Sequence, residues 1–416
     1  MFKVDDVEEL ALLVALEEDC RSLDELTELV RTAGGREVGR VTQKRATAHP
    51  GHYVGKGKLE ELASMAELTG ATALVCDDEL TSTQQRNLAE AINIKILDRT
   101  MIILDIFAAR ATTAEGKLQV ELAQLGYSIS HLSGLGKQLS RLGGGIGTRG
   151  PGEKKLETDR RHIRTRMDQL KKELDGVLKH RDVIRKSRKD SAVPSVAIVG
   201  YTNAGKSTLM NALSQAGVAA EDKLFRTLDT TTRAVKLPNG RQILLSDTVG
   251  FIRKLPHKLV DAFRATLEEL DHADILLHVI DASDADIQRQ IKTVEHTLQD
   301  LNLTAKPTIA VFNKIDAAAG PLPLCNKAEK TVRISALKGT GLDDLYAAID
   351  HVASVSHSKL TVLIPYTQGA LIAQVYKSAS IKHTEERDDG VLFKLSAPDK
   401  LKNQIELYAL PQEAQA

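Results

Sequence analysis

An eight-residue segment, Gly200-Tyr201-Thr202-Asn203-Ala204-Gly205-Lys206-Ser207, sets a lysine and a hydroxyl directly after a glycine-bounded loop. A run of backbone N–H groups can wrap a phosphate only where the chain tolerates unusual dihedrals and close approach, which Gly200 and Gly205 allow. Lys206 then brings a point charge to the outer phosphates, and the Ser207 hydroxyl can ligate magnesium. Further along, Asn313-Lys314-Ile315-Asp316 supplies a carboxylate, Asp316, able to accept from the N1–H and N2–H of guanine. Adenine presents an acceptor at N1 and would leave that carboxylate unpaired, at about 1–3 kcal/mol. The two segments together predict GTP rather than ATP.

Between them, Asp247-Thr248-Val249-Gly250 stands where a GTPase needs a carboxylate behind magnesium and a backbone N–H facing the γ-phosphate. Asp247 and Gly250 fit those roles. Upstream, Phe225-Arg226-Thr227-Leu228-Asp229 has the pattern of a first switch, with the Thr227 hydroxyl reaching magnesium only while the γ-phosphate is present. Ser335-Ala336-Leu337 is placed to support guanine through main-chain contacts. Lys206, Thr227 and Gly250 are therefore the expected catalytic positions, and Ser207, Thr227 and Asp247 the expected magnesium ligands. Phe251 follows Gly250 where many GTPases carry a water-orienting glutamine, and a phenyl ring cannot hydrogen-bond water. Slow hydrolysis by the isolated protein and completion of the site by a partner follow. Asn203 is a candidate to hold a potassium ion against the phosphates, while Arg226 reads as a surface arginine in a switch loop.

The elements that must position these residues fit an α/β chain. Residues 195–199 read as the strand before the phosphate loop and 207–213 as the helix after it. A hairpin, 234–237 and 242–245, is turned by Asn239-Gly240. Strands at 274–280, 308–312 and 331–334, with helices at 285–301 and 342–355, complete a doubly wound P-loop domain. Ahead of it, residues 1–111 alternate strand and helix patterns: strands at 11–16, 71–75 and 94–97, helices at 23–30, 59–68 and 81–91. Gly55-Lys56-Gly57-Lys58 reads as a structural turn. After the P-loop domain, residues 358–416 form a small α+β piece. The expected domains are thus 1–111, 112–190, 191–357 and 358–416.

From Thr113 the pattern changes. Leu118, Leu122, Leu125, Ile129 and Leu132, then Leu156, Ile163, Met167, Leu170, Leu174, Val177 and Ile184, recur at steps of three and four. Two such seams around a glycine-rich loop predict an antiparallel helical hairpin with Met167 in its core. Its second arm, over 155–189, would extend about 50 Å. The loop carries Lys137, Arg141, Arg149 and Lys154 among eight glycines and lacks aromatic residues. That favours contact with folded RNA backbone over single-strand stacking, with a flexible linker as the other reading.

Charge supports the same division. Lys plus Arg and Asp plus Glu both total 56, yet residues 137–190 hold 17 Lys or Arg against 8 Asp or Glu, so an anionic partner is expected for one region only. Cys20, Cys76 and Cys325 have no metal-ligand spacing and suit free thiols in a reducing compartment. The acidic start and the lack of any long apolar run predict a cytoplasmic protein with no membrane span.

The chain resembles the HflX family of ribosome-associated GTPases. The likeness is carried by YVGKGKLEEL at 53–62, TRGPGEKKLETDRR at 148–161, GYTNAGKS, FRTLD, DTVGF, NKID and SAL, in that order. It implies an N-terminal α/β domain with a helical hairpin, a central GTPase domain and a small C-terminal domain. It also implies binding to the large ribosomal subunit, with the basic loop reaching ribosomal RNA near the peptidyl-transferase region, and GTP-linked splitting of stalled or idle ribosomes. A monomer is expected. The other function left open is a nucleotide-sensing RNA-binding module without a hydrolysis-driven cycle. Arg226, Thr230 and Lys155 depart from the family's usual residues without removing a phosphate or metal ligand.

Overall fold

The computed structural model describes residues 8–16, 21–132, 151–189, 193–214, 225, 231–254, 270–318, 320–323, 325, 327–355 and 357–410. The chain divides into two compact units. One comprises Met1–Val177, Glu221–Asp229 and Ile252–Thr266, the other Leu178–Ala220, Thr230–Phe251 and Leu267–Ala416.

In the first unit, strands β1 (Leu10–Ala15), β2 (Arg36–Thr42), β3 (Ala73–Cys76) and β4 (Lys95–Asp98) form a parallel sheet in the order β2-β1-β3-β4. β1 and β3 read as unbroken apolar runs because helices cover both faces of a parallel sheet. Those helices are α1 (Arg21–Thr32), α2 (Lys56–Thr69), α3 (Ser82–Ile92) and α4 (Arg99–Arg110). Thr81 caps α3 in a reciprocal box with Gln84, and Asp98 caps α4 by accepting from the Met101 N–H. The predicted turn at Gly55 is structural: its N–H donates to Gln43 Oε1, and Lys58 pairs with Glu61. β2 and α4 carry no strong sequence signal; the periodicity of α4 is masked by burial almost all round.

The helix α5 (Ala114–His131) and the 39-residue α6 (Pro151–Lys189, about 58 Å long) occupy the predicted arms, and Arg166 pairs with Glu121 between them. α6 starts four residues earlier than expected because proline suits a first helical turn. The packing of the seam differs from expectation. Of its described positions only Leu170 is fully buried; Met167, Ile163, Leu118, Leu122, Leu125 and Ile129 are half-buried. The best-buried face of α5 is instead Gly116, Gln119, Val120 and Tyr127, because that face packs on the α/β domain. There the Tyr127 hydroxyl donates to Asp98, and His131 bonds the Leu80 carbonyl.

In the second unit a six-stranded sheet runs β10-β9-β8-β5-β7-β6. Its members are β5 (Ser195–Gly200), β6 (Thr231–Lys236), β7 (Gln242–Asp247), β8 (Ile275–Asp281), β9 (Thr308–Asn313) and β10 (Lys330–Arg333). Only the edge pair β6–β7 is antiparallel, as a hairpin turned at Gly240 with φ +85°. The apolar faces of β5, β7, β8 and β9 close over α7 (Lys206–Ser214) and α9 (Leu342–Val355); α8 (Ile287–Asp300) packs on the opposite face. Residues from His357 build a three-stranded antiparallel sheet, β11 (His357–Ile364), β13 (Gly390–Pro398) and β12 (Ser380–Arg387), over its own core of Val362, Ile364, Val375, Phe393 and Leu395. No described helix is long and apolar enough to cross a membrane.

Candidate functional site

The phosphate loop leaves β5 at the centre of the sheet. Its glycines are there for space and dihedral: Gly200 (φ +153°) and Gly205 (φ +91°) would each bring a Cβ to 2.2 Å, from the Val279 carbonyl oxygen and from Asn313 Nδ2 respectively. Asn203 holds φ +62° without being glycine and is exposed, so its side chain is presented at the loop's turn. Tyr201, Thr202 and Ala204 are buried.

Lys206 opens α7 and points back over the loop, donating to the carbonyls of Gly200 (3.1 Å) and Tyr201 (2.6 Å). Burial pushes its ammonium down to about 8, with Asp247 pulling the other way. A phosphate brought to this lysine would favour its charged form. His278, on β8 beneath, is buried and has its pKa driven down to about 4 by burial and then by Lys206, so it is a neutral neighbour. The next position, Ser207, donates from its hydroxyl to Asp247 Oδ2 at 3.1 Å. A hydroxyl and a carboxylate converging beside a buried lysine are oxygen donors of the type magnesium takes, so these residues fit that ion.

Past Asp247 the chain returns to the loop. The Phe251 N–H donates to the Gly200 carbonyl (3.1 Å), and the Thr202 N–H donates to the Phe251 carbonyl (2.8 Å). Thr248 is anchored through its hydroxyl to the Ile198 carbonyl, and Val249 is buried. Gly250 is held so close that a Cβ there would meet Lys206 Nζ at 2.8 Å and Thr202 Cγ2 at 2.9 Å. Phe251 is buried as a packed side chain, with its main chain zipped to the loop.

The segments expected to read guanine meet through one side chain. Asn313 Nδ2 donates to the Ala204 carbonyl (2.9 Å), while its Oδ1 accepts from the Ala336 N–H (2.9 Å). One amide thus ties the phosphate loop to Ser335, Ala336 and Leu337. Ile315 donates its N–H to the Ile334 carbonyl, and Ser335 Oγ accepts from the Lys338 N–H. A side-chain hydrogen bond with Ser335 does most to hold Asp316 below the usual carboxylate range, with Lys338 adding to it. Leu337 stands exposed at the rim.

Two partners of this site escaped the sequence reading. Lys314 Nζ lies 2.6 Å from Asp281 Oδ2, and Lys338 Nζ 3.4 Å from Asp316 Oδ2. A carboxylate ending the largely apolar β8 was the available signal for Asp281; Lys338 had none beyond its place after Leu337.

Of the switch segment only Phe225 is described. It holds φ +50° and packs edge-on against Phe107, ring centroids 4.9 Å apart, within the first unit. Arg226, Thr227, Leu228 and Asp229 lie outside the described residues, as do Lys137, Arg141 and Arg149. Lys154 falls in the first turn of α6. Among the described residues, Cys76 and Cys325 are free thiols, and no group of three or more His, Cys, Asp or Glu side chains could hold a metal ion.

Four family models match the chain in succession. They are a GTP-binding GTPase N-terminal region over residues 20–108, a GTP-binding GTPase middle region over 110–188, a 50S ribosome-binding GTPase over 195–314, and an HflX C-terminal domain over 324–406. A GTPase HflX of Lacrimispora saccharolytica is 51% identical over 96% of this chain and 96% of its own length. The GTPase HflX of Caldanaerobacter subterraneus subsp. tengcongensis is 48% identical over 95% of this chain and 93% of its own. Among solved structures, a crystal structure of an SsGBP–GDP complex aligns at 26% identity over 83% of this chain and 98% of that one, with a TM-score of 0.48.

Proposed function

We propose, from the premise that this chain belongs to the HflX family of GTPases, that it binds the large ribosomal subunit and uses GTP to separate stalled or idle ribosomes. The observation that carries the nucleotide half is the Asn313 bridge, which makes one rigid cradle of the phosphate loop and the 335–337 loop. In that cradle the backbone N–H groups of 203–207 and the Lys206 ammonium hold the phosphates. Asp316 accepts from guanine, with main-chain support from Ser335, Ala336 and Leu337. Lys314, steadied by Asp281, flanks the base.

Ser207 and Asp247, with Thr227, are the residues that would hold magnesium, which when bound neutralises charge on the phosphate oxygens. Gly250 offers its N–H to the γ-phosphate, and Phe225 to Asp229 form the switch that feels its loss. With Phe251 packed inside, the isolated protein hydrolyses slowly and ribosomes supply the missing stabilisation. Asn203, exposed at the turn of the loop, can lend its amide oxygen to a potassium ion; equal turnover in potassium and sodium salts would remove that role.

The ribosomal half rests on the family model described as a 50S ribosome-binding GTPase and on the basic segment with Lys137, Arg141, Arg149 and Lys154. These cations contact ribosomal RNA backbone, and the protein works as a cytoplasmic monomer. Sedimentation of ribosomes with the protein and either GTP or a non-hydrolysable analogue tests this. Splitting is expected with the intact chain and not with residues 132–155 shortened; intact ribosomes under every condition would refute it. Multiple-turnover assays separate the other function, a nucleotide-sensing RNA-binding module, which predicts no stimulation by ribosomes.

A further inference from the structure

The side chain of Thr202 is an anomaly in an otherwise satisfied loop. The residue is 5% exposed, and its Oγ1 is buried without a hydrogen-bond partner among the described residues. The neighbouring hydroxyls are engaged: Thr248 Oγ1 donates to the Ile198 carbonyl and Ser207 Oγ to Asp247. A buried hydroxyl left unpaired destabilises the fold that carries it, and such orphans call for an explanation in function or a missing partner. The backbone of Thr202 is fixed, because its N–H is committed to the Phe251 carbonyl at 2.8 Å. Its methyl and Cα face Gly250 so tightly that a Cβ there would sit 2.9 and 3.1 Å away, and the same Cβ would be 2.8 Å from Lys206 Nζ.

Thr202 therefore stands beside the two groups that grip the terminal phosphate in the reading above, a lysine ammonium and the glycine of the DTVG segment. The residue after that glycine, Phe251, has no polar atom on its side chain to orient water. We propose that the Thr202 hydroxyl is the protein's own water-positioning group for GTP hydrolysis. It accepts a hydrogen bond from the attacking water and donates its own proton to a γ-phosphate oxygen. The water oxygen then bonds to phosphorus as the bond to the β–γ bridging oxygen breaks. GDP leaves, and the water's proton ends on the released phosphate, with no net proton change at Thr202. The hydroxyl thus gains a partner only when a third phosphate is present, which accounts for its unpaired state.

This assignment rests on the GTP reading of the loop, and its test separates the two. Thr202→Val keeps the branched shape and the backbone bond to Phe251 but deletes Oγ1, whereas Thr202→Ser keeps the hydroxyl. With magnesium and ribosomes, Thr202→Val is expected to lower kcat by about tenfold or more. GDP affinity by calorimetry should stay within about twofold, because GDP lacks the phosphate that the hydroxyl serves. Thr202→Ser should turn over within about threefold of the parent, and nucleotide-free Thr202→Val should melt no lower than the parent, since an orphan has been removed. Parental turnover in Thr202→Val, or equal losses in GDP affinity and kcat, would overturn the assignment and leave Thr202 a packing residue. Failure of the parental protein to bind either GDP or GTP would instead remove the reading beneath it, and the assignment with it.

Discussion

Lys254 Nζ lies 2.6 Å from Asp77 Oδ2, across 177 residues of sequence. Asp77 follows β3, is fully buried, and also accepts from Arg99 Nη1 at 2.7 Å and from the Ser22 hydroxyl; Asp78 takes a second bond from Lys254 at 2.7 Å. Lys254 holds φ +50°, an uncommon state for a residue with a side chain, so these bonds offset some backbone strain. Burial works against its charge, but Asp77 and Asp78 outweigh that and raise its pKa.

Removing those bonds should be visible. Lys254→Ala leaves Asp77 with Arg99 and Ser22 but strips one of its charge partners, an expected loss of about 1–3 kcal/mol in the first unit. Thermal unfolding should show the unit's transition shifted down, and hydrogen exchange should show faster opening around residues 252–254. Because the Lys254 pKa is raised in the fold, its contribution is complete below the lysine's unfolded value. It is lost only as pH rises through the folded one, so the wild-type and variant melting curves should converge only in strongly alkaline solution. Unchanged melting and exchange at neutral pH would mean that the pair is ornamental.

Nucleotide affinity should depend on the charge of Lys206. In the free protein burial pushes its pKa down to about 8, so above that pH a growing share of molecules holds a neutral amine beneath the loop. Phosphate favours the charged form, so binding must take up a proton there, and affinity should fall by at most about tenfold per pH unit above that point. Calorimetry of GDP binding in two buffers of different ionisation enthalpy near pH 8.5 should detect the uptake. Identical apparent enthalpies in both buffers would contradict it.

The two hydrogen bonds made by Asn313 predict a loss larger than a single contact would. Asn313→Ala leaves the Ala204 carbonyl and the Ala336 N–H buried without their partner, each at about 1–3 kcal/mol, and disconnects the phosphate loop from 335–337. GDP affinity should fall by at least about tenfold, and guanine preference over other bases should narrow because Ser335 to Leu337 lose their register. Fluorescence titration with GDP and a competing purine nucleotide measures both. Retained affinity and selectivity would show that the cradle does not need this tie.

Much of the candidate site's local geometry is legible in the sequence, and the reasons are local. Phosphate loops, N-caps and tight turns are specified by residues a few positions apart, so Gly200, Gly205, Lys206 and Ser207 could be placed from spacing alone, as could the hairpin at Asn239-Gly240. The apolar runs of β5, β8 and β9 likewise declared a sheet covered on both faces. Sequence signal is lost where burial erases periodicity, as in α4, or where a three-four pattern admits more than one buried face, as in α5. There the packed face ran through Val120 and Tyr127 and left the leucine seam half-covered.

By itself the sequence determined the chemistry on offer: a guanine nucleotide's phosphates and base, met by groups whose order along the chain dictates their placement. Tertiary structure alone decided which distant residues those groups answer to. Phe225 and Lys254 arise within the GTPase sequence, yet pack against Phe107 and Asp77 in the first unit. Thr202, polar and unremarkable in the linear motif, became the one loop hydroxyl with no described partner. The physical reason is the same in each case. A pairing between residues far apart along the chain depends on where two surfaces meet, and burial there is set by the whole packed interior rather than by the neighbours either residue has in sequence.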